Sequence, residues 1–269
     1  MRAILFGLTG YGNAAFDALR ACGVDVPLVV TRREPGSYPY YPCEQLSDVA
    51  AAAGSTVLCD VDPDRDDAAF AKIAEVDADV LVVASYDKRL STHVAKLAKR
   101  AINIHPSLLP KYRGPTPSNW AIIFDEKKTG VTLHKLARHL DGGDILIQHE
   151  LDLRKDETDG ELRARLAVLV GEVLTEYIAG VAAGREPEAS AQDESEITVY
   201  PAVQRRDAHV RFDQGTQTIL RRIRGVTPYP GAYTDFCGAE FDIAYVKAEG
   251  FVAYDDRTLQ CHRQRVDLR

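Results

Sequence analysis

An amide, an imidazole and a carboxylate stand at places in the sequence from which they can meet. Asn103 and His105 close an apolar run, Arg100–His105, that is typical of a strand, and a proline follows at once and ends it. Strand alternation directs both side chains to one face. Farther along, the LDGGDI sequence of Leu140–Ile145 places Asp141 on a tight, glycine-rich turn. If that turn lies at the end of the strand, the three side chains are brought together.

These three groups suit the transfer of an acyl group to an amine. The imidazole of His105 takes a proton from the nucleophile, the amide NH₂ of Asn103 holds a developing oxyanion, and the carboxylate of Asp141 orients the imidazole or relays protons. Each part alone has a plainer explanation, since an Asn-x-His pair at a strand end is usually structural and LDGGD alone is an ordinary Asx-type turn. The chemical hypothesis therefore depends on the combination.

The opening of the chain predicts the architecture that must position these residues. Buried-type strands at Arg2–Leu8 and Val24–Thr31 flank a glycine turn and a helix, which makes a βαβ unit and hence a parallel sheet with right-handed crossovers. A further buried strand is predicted at Asp79–Ser85. Ligands of open parallel sheets gather outside the carboxyl ends of the strands. We therefore expect an α/β fold with a doubly wound, mostly parallel Rossmann-like sheet and a small β-rich carboxy-terminal unit.

The second half of the chain divides by composition. Thr158–Ala183 is predicted to be an amphipathic helix that packs on the sheet, because apolar residues recur at three- and four-residue steps. These residues are Leu162, Leu166, Leu169, Val173 and Tyr177. The polar, unpatterned segment Arg185–Glu196 indicates a linker. We predict a main domain at residues 1–185, a linker at 186–200 and a small β-rich unit at 201–269.

Four short motifs resemble one enzyme family. NIHPSLLP at Asn103–Pro110, YRG at Tyr112–Gly114, GVT at Gly130–Thr132 and LDGGDI at Leu140–Ile145 resemble the formyl-tetrahydrofolate-dependent formyltransferases, which include methionyl-tRNA formyltransferase and the sugar N-formyltransferases. The resemblance covers roughly residues 1 to 150 well. It implies that 1–185 is the catalytic domain and that 201–269 is a reduced form of the OB-like barrel found in the tRNA enzymes.

The resemblance also implies roles for individual residues. Asn103, His105 and Asp141 match the essential residues of the family, and formyl-tetrahydrofolate is the expected co-substrate, with no metal. The departing folate nitrogen receives a proton with the help of Asp141. The residues implied in binding the folate are Ser85, Tyr86 and Asp87, whose loop closes over the pterin, together with Ser107, Leu108, Leu109 and Asp144.

Two other classes of protein remain open. The sequence Gly10-x-Gly12-x-x-Ala15 fits a dinucleotide fingerprint, and Arg32 and Arg33 follow the second strand, where an NADP-dependent oxidoreductase places a phosphate-binding arginine. That alternative leaves the NIHPSLLP and LDGGDI motifs unexplained, and in the resembled family the same turn only packs strand against helix. The other class is a non-catalytic binding module on a formyltransferase scaffold.

The loop Arg32–Pro42 and the charge distribution indicate the kind of amine. Tyr38, Tyr40 and Tyr41 either line a substrate pocket, since aromatic faces stack on bases and sugars, or pack the loop down. Residues 1–200 hold 22 Lys and Arg against 31 Asp and Glu, and residues 201–269 hold 11 against 9. An RNA partner requires a stronger basic footprint. We expect a small-molecule amine, with an amino-sugar nucleotide as first choice and a hydroxyornithine-like amine or methionyl-tRNA as alternatives.

Composition is that of an ordinary globular protein, with 45% apolar and 27% charged residues among 269. No apolar run approaches the roughly 18 residues of a membrane span, and the amino terminus is typical of a buried strand, not of a signal peptide. The five cysteines are scattered without C-x-x-C spacing, so we expect neither a disulfide framework nor a zinc site. We also expect the protein to be cytoplasmic. His134 and His139 are interpreted as strand or loop histidines, not metal ligands. We expect no nucleic-acid or membrane partner, and a homodimer stays open.

Overall fold

A seven-stranded sheet forms the centre of the molecule. In this computed structural model, which describes residues 1–236, 239–243, 245–247, 250–253, 259–262 and 265–268, its strands follow one another along the first part of the chain. They are β1 (Arg2–Gly7), β2 (Asp25–Thr31), β3 (Thr56–Cys59), β4 (Ala78–Ala84), β5 (Ala98–His105), β6 (Lys128–Lys135) and β7 (Ile145–Asp152). Their spatial order is β3-β2-β1-β4-β5-β6-β7. The first five strands are parallel, and β6 and β7 continue the sheet in antiparallel pairs. This confirms the doubly wound, mostly parallel fold.

Seven helices accompany the sheet in the described part of the chain. They are α1 (Tyr11–Ala21), α2 (Leu46–Ala52), α3 (Asp67–Ala74), α4 (Thr92–Ala95), α5 (Pro117–Ile123), α6 (Asp159–Ala182) and α7 (Thr216–Gly225). Alternation along β1 divides the core in two. Ala3 and Leu5 face a cluster that includes residues of α1, α2 and α6, whereas Ile4 and Phe6 face a cluster that includes residues of α3 and α4. Both faces of the central strands are therefore covered, as parallel sheets require.

The long helix α6 has the predicted amphipathic pattern. Its first turn is closed by a capping box, in which the Thr158 N–H donates to Glu161 Oε2 at 2.9 Å and the Glu161 N–H donates to Thr158 Oγ1 at 3.4 Å. All five stripe residues are buried in the core cluster on that face of the sheet. The prediction that this stripe packs on the sheet is confirmed.

The carboxy-terminal part consists of α7 and short antiparallel strands. These strands are β8 (Ala232–Phe236), β9 (Ala239–Ile243), β10 (Tyr245–Lys247), β11 (Gly250–Ala253), β12 (Leu259–His262) and β13 (Arg265–Leu268). β8 and β9 pair, and β10 to β13 form a second sheet. Helix α7 packs on α5, where the Asn119 side-chain amide donates to the Gly225 carbonyl at 2.7 Å. The predicted small β-rich unit is confirmed, while the division at 186–200 stays a prediction.

Three cysteines of the described residues are not in disulfides. Cys22, Cys43 and Cys59 are half-buried free thiols. Cys237 and the side chain of Cys261 lie outside the described residues. Within the described ranges, no helix combines the length and the apolar character that crossing a membrane requires.

Candidate active site

The three predicted reactive side chains meet at the carboxyl end of β5. Asn103 and His105 belong to the last residues of that strand, and Asp141 lies in the turn between β6 and β7. Asp141 Oδ1 is 3.2 Å from Asn103 Nδ2 and 3.6 Å from His105 Nδ1. His105 and Asp141 are buried, and Asn103 is half-buried. The structure therefore brings the amide, the imidazole and the carboxylate to one point, as the sequence predicted.

Asp141 is held in an unusual backbone conformation by its surroundings. Its φ of 50° lies in the left-handed region, which Asp tolerates better than most residues because its short polar side chain bonds locally. Its Oδ2 accepts a hydrogen bond of 2.9 Å from the Gly114 N–H. Two residues later, a Cβ at Gly143 would overlap the Lys135 carbonyl, so the turn needs glycine there. The LDGGD sequence thus serves to present this carboxylate.

A fourth residue, His134, completes the cluster. Strands β5 and β6 pair so that Asn103 lies opposite His134, and Asn103 Nδ2 is 3.0 Å from His134 Nε2. His134 Nδ1 lies 2.9 Å from the Lys135 carbonyl, which only accepts hydrogen bonds, so Nδ1 carries the proton and Nε2 accepts from Asn103. Burial lowers the pKa of His134 to about 4, with the nearby His105 adding to the effect. His134 is therefore a neutral acceptor at physiological pH.

Both hydrogens of the Asn103 amide are consequently engaged. An ionised Asp141 accepts and cannot donate, so the nitrogen of the amide must face it, and the second N–H points to His134. An oxyanion that forms beside Asn103 has to replace one of these two acceptors. The arrangement keeps the NH₂ oriented before any substrate arrives, and pre-orientation of this kind is what makes such donors effective.

His105 is oriented through a main-chain carbonyl. Its Nε2 donates to the carbonyl of Tyr112 at 2.9 Å, which leaves Nδ1 without a hydrogen in the neutral ring. Nδ1 faces Asp141 Oδ1. A proton taken up at Nδ1 is therefore met by the carboxylate. Tyr112 itself has a φ of 59°, a left-handed conformation that is rare for an aromatic residue and that aims its carbonyl at the imidazole.

The loop after β5 is fixed by Thr132, the last residue of the GVT motif. Its buried hydroxyl donates to the Ser107 carbonyl at 2.6 Å and accepts from the Leu109 N–H at 3.2 Å. Ser107 and Leu109 are buried, whereas Leu108 is half-buried and borders a surface cleft of about 280 Å³. Asp144, beyond the turn, is half-exposed beside Lys135, with 3.5 Å between Oδ2 and Nζ. Of these four predicted folate-binding residues, Leu108 and Asp144 have solvent-accessible side chains.

The other predicted folate loop follows the neighbouring strand. Ala84 of β4 pairs with Ile104 of β5, so Ser85 follows β4 at the edge of the sheet where His105 ends β5. Ser85 has a φ of 58°. The Tyr86 hydroxyl donates to the Val61 carbonyl at 2.9 Å. This loop therefore lies along the same sheet edge as Asn103, His105 and Asp141.

Gly10, Gly12 and Arg32, which favoured nicotinamide binding in the sequence, each have a packing or pairing role in the fold. A Cβ at Gly12 would approach the Leu46 side chain and the Gly7 backbone, and one at Gly10 would overlap the ring of Tyr38. These glycines thus permit close packing around the first turn of α1. Arg32 is paired with both Glu34 and Asp87, at 2.8 and 2.9 Å.

The three tyrosines of the Arg32–Pro42 loop form a cluster around a buried arginine. The centroid of the Tyr38 ring is 5.2 Å from that of Tyr40 and 4.9 Å from that of Tyr41. Arg163 stacks over the Tyr40 ring at 3.9 Å and pairs with Asp159 at 2.6 Å. Burial raises the pKa of Tyr38 to about 12. The stacking of Arg163 on Tyr40 joins the loop to α6, and among the described residues none of the ring contacts of these tyrosines is with Asn103, His105 or Asp141.

Sequence reasoning did not identify four groups that hold the trio. These are His134, the Gly114 N–H, the Tyr112 carbonyl and the Gln192 side chain, which donates to the Asp141 carbonyl at 2.8 Å. His134 was correctly predicted to be a strand residue, but its register against Asn103 could not be derived from alternation alone. His139 lies exposed in the loop that follows. In the part of the chain with described side chains, no three His, Cys, Asp or Glu residues are grouped so as to hold a metal ion.

Sequence comparison with known proteins finds similarity to formyl transferases. A sequence model of the family described as Formyl transferase matches residues 3–178, and one described as Formyl transferase, C-terminal domain, matches residues 202–256. A methionyl-tRNA formyltransferase of Anaeromyxobacter dehalogenans is 35% identical over 240 residues, which cover 88% of this chain and 77% of the relative. One from Koribacter versatilis is 33% identical over 251 residues, covering 92% and 80%.

Solved structures show the same fold at low identity. An N-formyltransferase of Helicobacter canadensis, in complex with folinic acid and dTDP-3-aminofucose, has a TM-score of 0.70 at 15% identity, covering 93% of this chain and 94% of its own. A sugar N-formyltransferase from a Shewanella species also has a TM-score of 0.70, at 17% identity, covering 92% and 99%.

Proposed function

The chain belongs to the formyl transferase family and is an enzyme of formyl transfer, and we propose that it moves a formyl group from formyl-tetrahydrofolate to a primary amine of a small molecule. The proposal rests on the arrangement of three side chains. At the carboxyl end of β5, Asp141 Oδ1 lies 3.2 Å from Asn103 Nδ2 and 3.6 Å from His105 Nδ1, so the carboxylate joins the amide and the imidazole. Ligands of doubly wound sheets bind at that edge.

The residues divide the reaction among them. As the amine nitrogen attacks the formyl carbon and forms the new C–N bond, the formyl oxygen becomes an oxyanion, and the NH₂ of Asn103 stabilises it. The amine then loses a proton to Nδ1 of His105, where the carboxylate of Asp141 stabilises the imidazolium. When the bond from carbon to the folate nitrogen breaks, the proton passes to that nitrogen with the help of Asp141. The products are the formamide and tetrahydrofolate, and both protein groups return to their initial state.

Several contacts favour a nucleotide sugar over an RNA as the amine substrate. The arginines of α7, which form the most concentrated basic sequence near the carboxy terminus, are already engaged. Arg221 pairs with Asp125 at 3.3 Å, Arg222 donates to the Asp207 carbonyl at 2.6 Å, and Arg224 donates to the Glu157 carbonyl at 3.3 Å. A solved relative of the same fold holds an amino-sugar nucleotide with a folate. We therefore propose an amino-sugar nucleotide as first choice.

Methionyl-tRNA is the second candidate, and the names of the sequence relatives favour it. Both of these relatives are methionyl-tRNA formyltransferases, and they are 35% and 33% identical to this chain over the aligned residues. A hydroxyornithine-like amine also suits the chemistry.

The choice is tested by the release of tetrahydrofolate from 10-formyl-tetrahydrofolate in the presence of each amine. The amines are dTDP-3-aminofucose, N5-hydroxyornithine and methionyl-tRNA. Turnover with the nucleotide sugar and little with methionyl-tRNA is the expected result. Efficient turnover of methionyl-tRNA alone would replace the first candidate by the second, and no turnover of any amine above the rate without enzyme would contradict the proposed function.

A further inference from the structure

A polar segment of the chain lies directly against the catalytic turn. Ser190–Tyr200, called here the strap, falls mostly within the range that composition marks as a linker. At one end, Ser190 and Ile145 exchange backbone hydrogen bonds of 2.8 and 2.9 Å. At the other end, Arg113 and Val199 form a parallel bridge. The strap therefore spans the two loops that carry the partners of the catalytic trio.

Gln192 of the strap is bonded to the turn that presents Asp141. Its side-chain NH₂ donates to the carbonyls of Asp141 and Gly143, at 2.8 and 2.7 Å. Its Oε1 accepts from Nε and Nη2 of Arg113, at 3.2 and 2.6 Å. Because the two carbonyls only accept and the guanidinium only donates, the amide has one orientation that satisfies all four bonds. One side chain thus links the Asp141 turn to the loop after β5.

The far end of the strap acts on His105 through Tyr112. Thr198 Oγ1 accepts a hydrogen bond of 2.8 Å from the Tyr112 N–H, and the Tyr200 ring stacks on the Tyr112 ring with centroids 5.4 Å apart. These contacts hold Tyr112 in the left-handed conformation that aims its carbonyl at His105. The strap therefore supports both the imidazole and the carboxylate.

We propose that Gln192 is a positioning residue, which sets the Asp141 carboxylate against Asn103 and His105. The inference rests on the proposed roles of those three residues. Asp141 has a left-handed backbone, and a turn in that conformation persists only where its surroundings hold it. With the two carbonyl contacts removed, the turn relaxes and the carboxylate moves away from the imidazole. A displacement on the order of 1 Å at a catalytic group costs about a hundredfold in rate.

Two substitutions separate the contact to the turn from the contact to Arg113. Gln192→Ala removes both. Gln192→Glu keeps the length of the side chain and its acceptors for Arg113, but it loses the donors to the two carbonyls. Gln217→Ala, at an exposed position on α7, is the matched control. The assay is formyl transfer from 10-formyl-tetrahydrofolate to dTDP-3-aminofucose or methionyl-tRNA, whichever the wild type uses.

Both Gln192 variants are expected to lower kcat by about 10- to 100-fold, with the KM for 10-formyl-tetrahydrofolate within about twofold of wild type. The control keeps wild-type kcat. Wild-type kcat in Gln192→Glu would overturn the proposal, because the bond to Arg113 would then suffice. A loss of activity that only follows a fall in the thermal midpoint would also overturn it, since the role would be structural.

A second measurement does not depend on turnover. The imidazole resonances of His105 are followed by NMR and assigned with the variant His105→Asn. They are expected to shift in both Gln192 variants and to stay in place in Gln217→Ala. Unchanged His105 resonances in the Gln192 variants would overturn the positioning role. Failure of the wild type to turn over any amine contradicts the proposed function, whereas the NMR comparison still decides the role of Gln192.

Discussion

Asn103 donates a hydrogen bond of 3.0 Å to His134 across the antiparallel pair of β5 and β6. Through this bond the buried His134 can orient the Asn103 amide. As a neutral acceptor, the ring fixes the rotation of the Asn103 amide, whose other hydrogen points to Asp141 at 3.2 Å. The amide is thus held between two acceptors, and its donors are aimed before a substrate binds.

Asn103→Ala should lower kcat by about 100- to 1000-fold, because one oxyanion donor is lost. It should also lower the free energy of unfolding by about 1–3 kcal/mol, since Asp141 and His134 each lose a partner in a buried setting. Formyl transfer under saturating substrates and urea unfolding measure the two effects. Near wild-type kcat in this variant would show that Asn103 is not the oxyanion donor.

The buried His134 should make stability depend on pH. Its folded pKa of about 4 lies below the ordinary 6.5, so between those values the unfolded chain binds a proton that the folded chain does not. The free energy of unfolding should therefore be complete above pH 6.5 and fall as the pH falls towards 4, by up to about 3 kcal/mol from this residue.

His134→Gln keeps an acceptor for Asn103 but has no proton to bind. Urea unfolding at pH 7 and pH 5 should show a smaller difference in this variant than in the wild type. His139→Gln, at an exposed loop position, serves as the control and should match the wild type. Equal pH dependence in all three proteins would contradict the role assigned to His134.

Gly12→Ala should lower the thermal stability of the fold. Because we expect the turn to serve packing and not NADP binding, the substitution should remove no NADP site. The added Cβ would approach the Leu46 side chain and the Gly7 backbone, and such overpacking costs about 1–3 kcal/mol. Gly171→Ala is the control, because a Cβ there meets only ordinary contacts and alanine favours a helix. Thermal unfolding compares the two. A clear rise in the wild-type midpoint on adding NADP would instead support the oxidoreductase alternative.

The salt dependence of KM should distinguish the two candidate amines. RNA binding neutralises several phosphates, and its affinity falls steeply as salt rises. A nucleotide sugar carries few charges, so its KM should change little between low and physiological salt. The net acidic body of residues 1–200 and the engaged arginines of α7 lead us to expect the shallow dependence. A low KM for methionyl-tRNA that rises steeply with salt would contradict this expectation.

Local pattern was sufficient to predict where the trio lies. Alternation along β5 places Asn103 and His105 on one face, and the carboxyl ends of parallel strands are where ligands bind, so the location followed from the sequence. The βαβ unit at the start of the chain and the apolar stripe of α6 could also be predicted, because each depends on the pattern of apolar residues within single elements.

The partners of the trio depend on contacts between distant parts of the chain. His134 is 31 residues from Asn103, and Gln192 is 51 residues from Asp141. The first pairing needs the register of β5 against β6, which the loop between them sets. The second needs the path of the strap, whose polar composition is also that of a free linker. Neither of these two contacts can be predicted from the periodicity of a single element.

The central claim is that His105 and Asp141, which lie beside Asn103, act as one unit in formyl transfer. The most direct test is the rate at which the formylated amine appears, followed by mass spectrometry, for wild type, His105→Ala, Asp141→Asn and the double variant. Each single variant should lose about 10²- to 10⁴-fold, and the double variant should lose little more than the worse single one, because residues that act as a unit are not additive. Near wild-type rates in His105→Ala, or losses that multiply in the double variant, would contradict the claim.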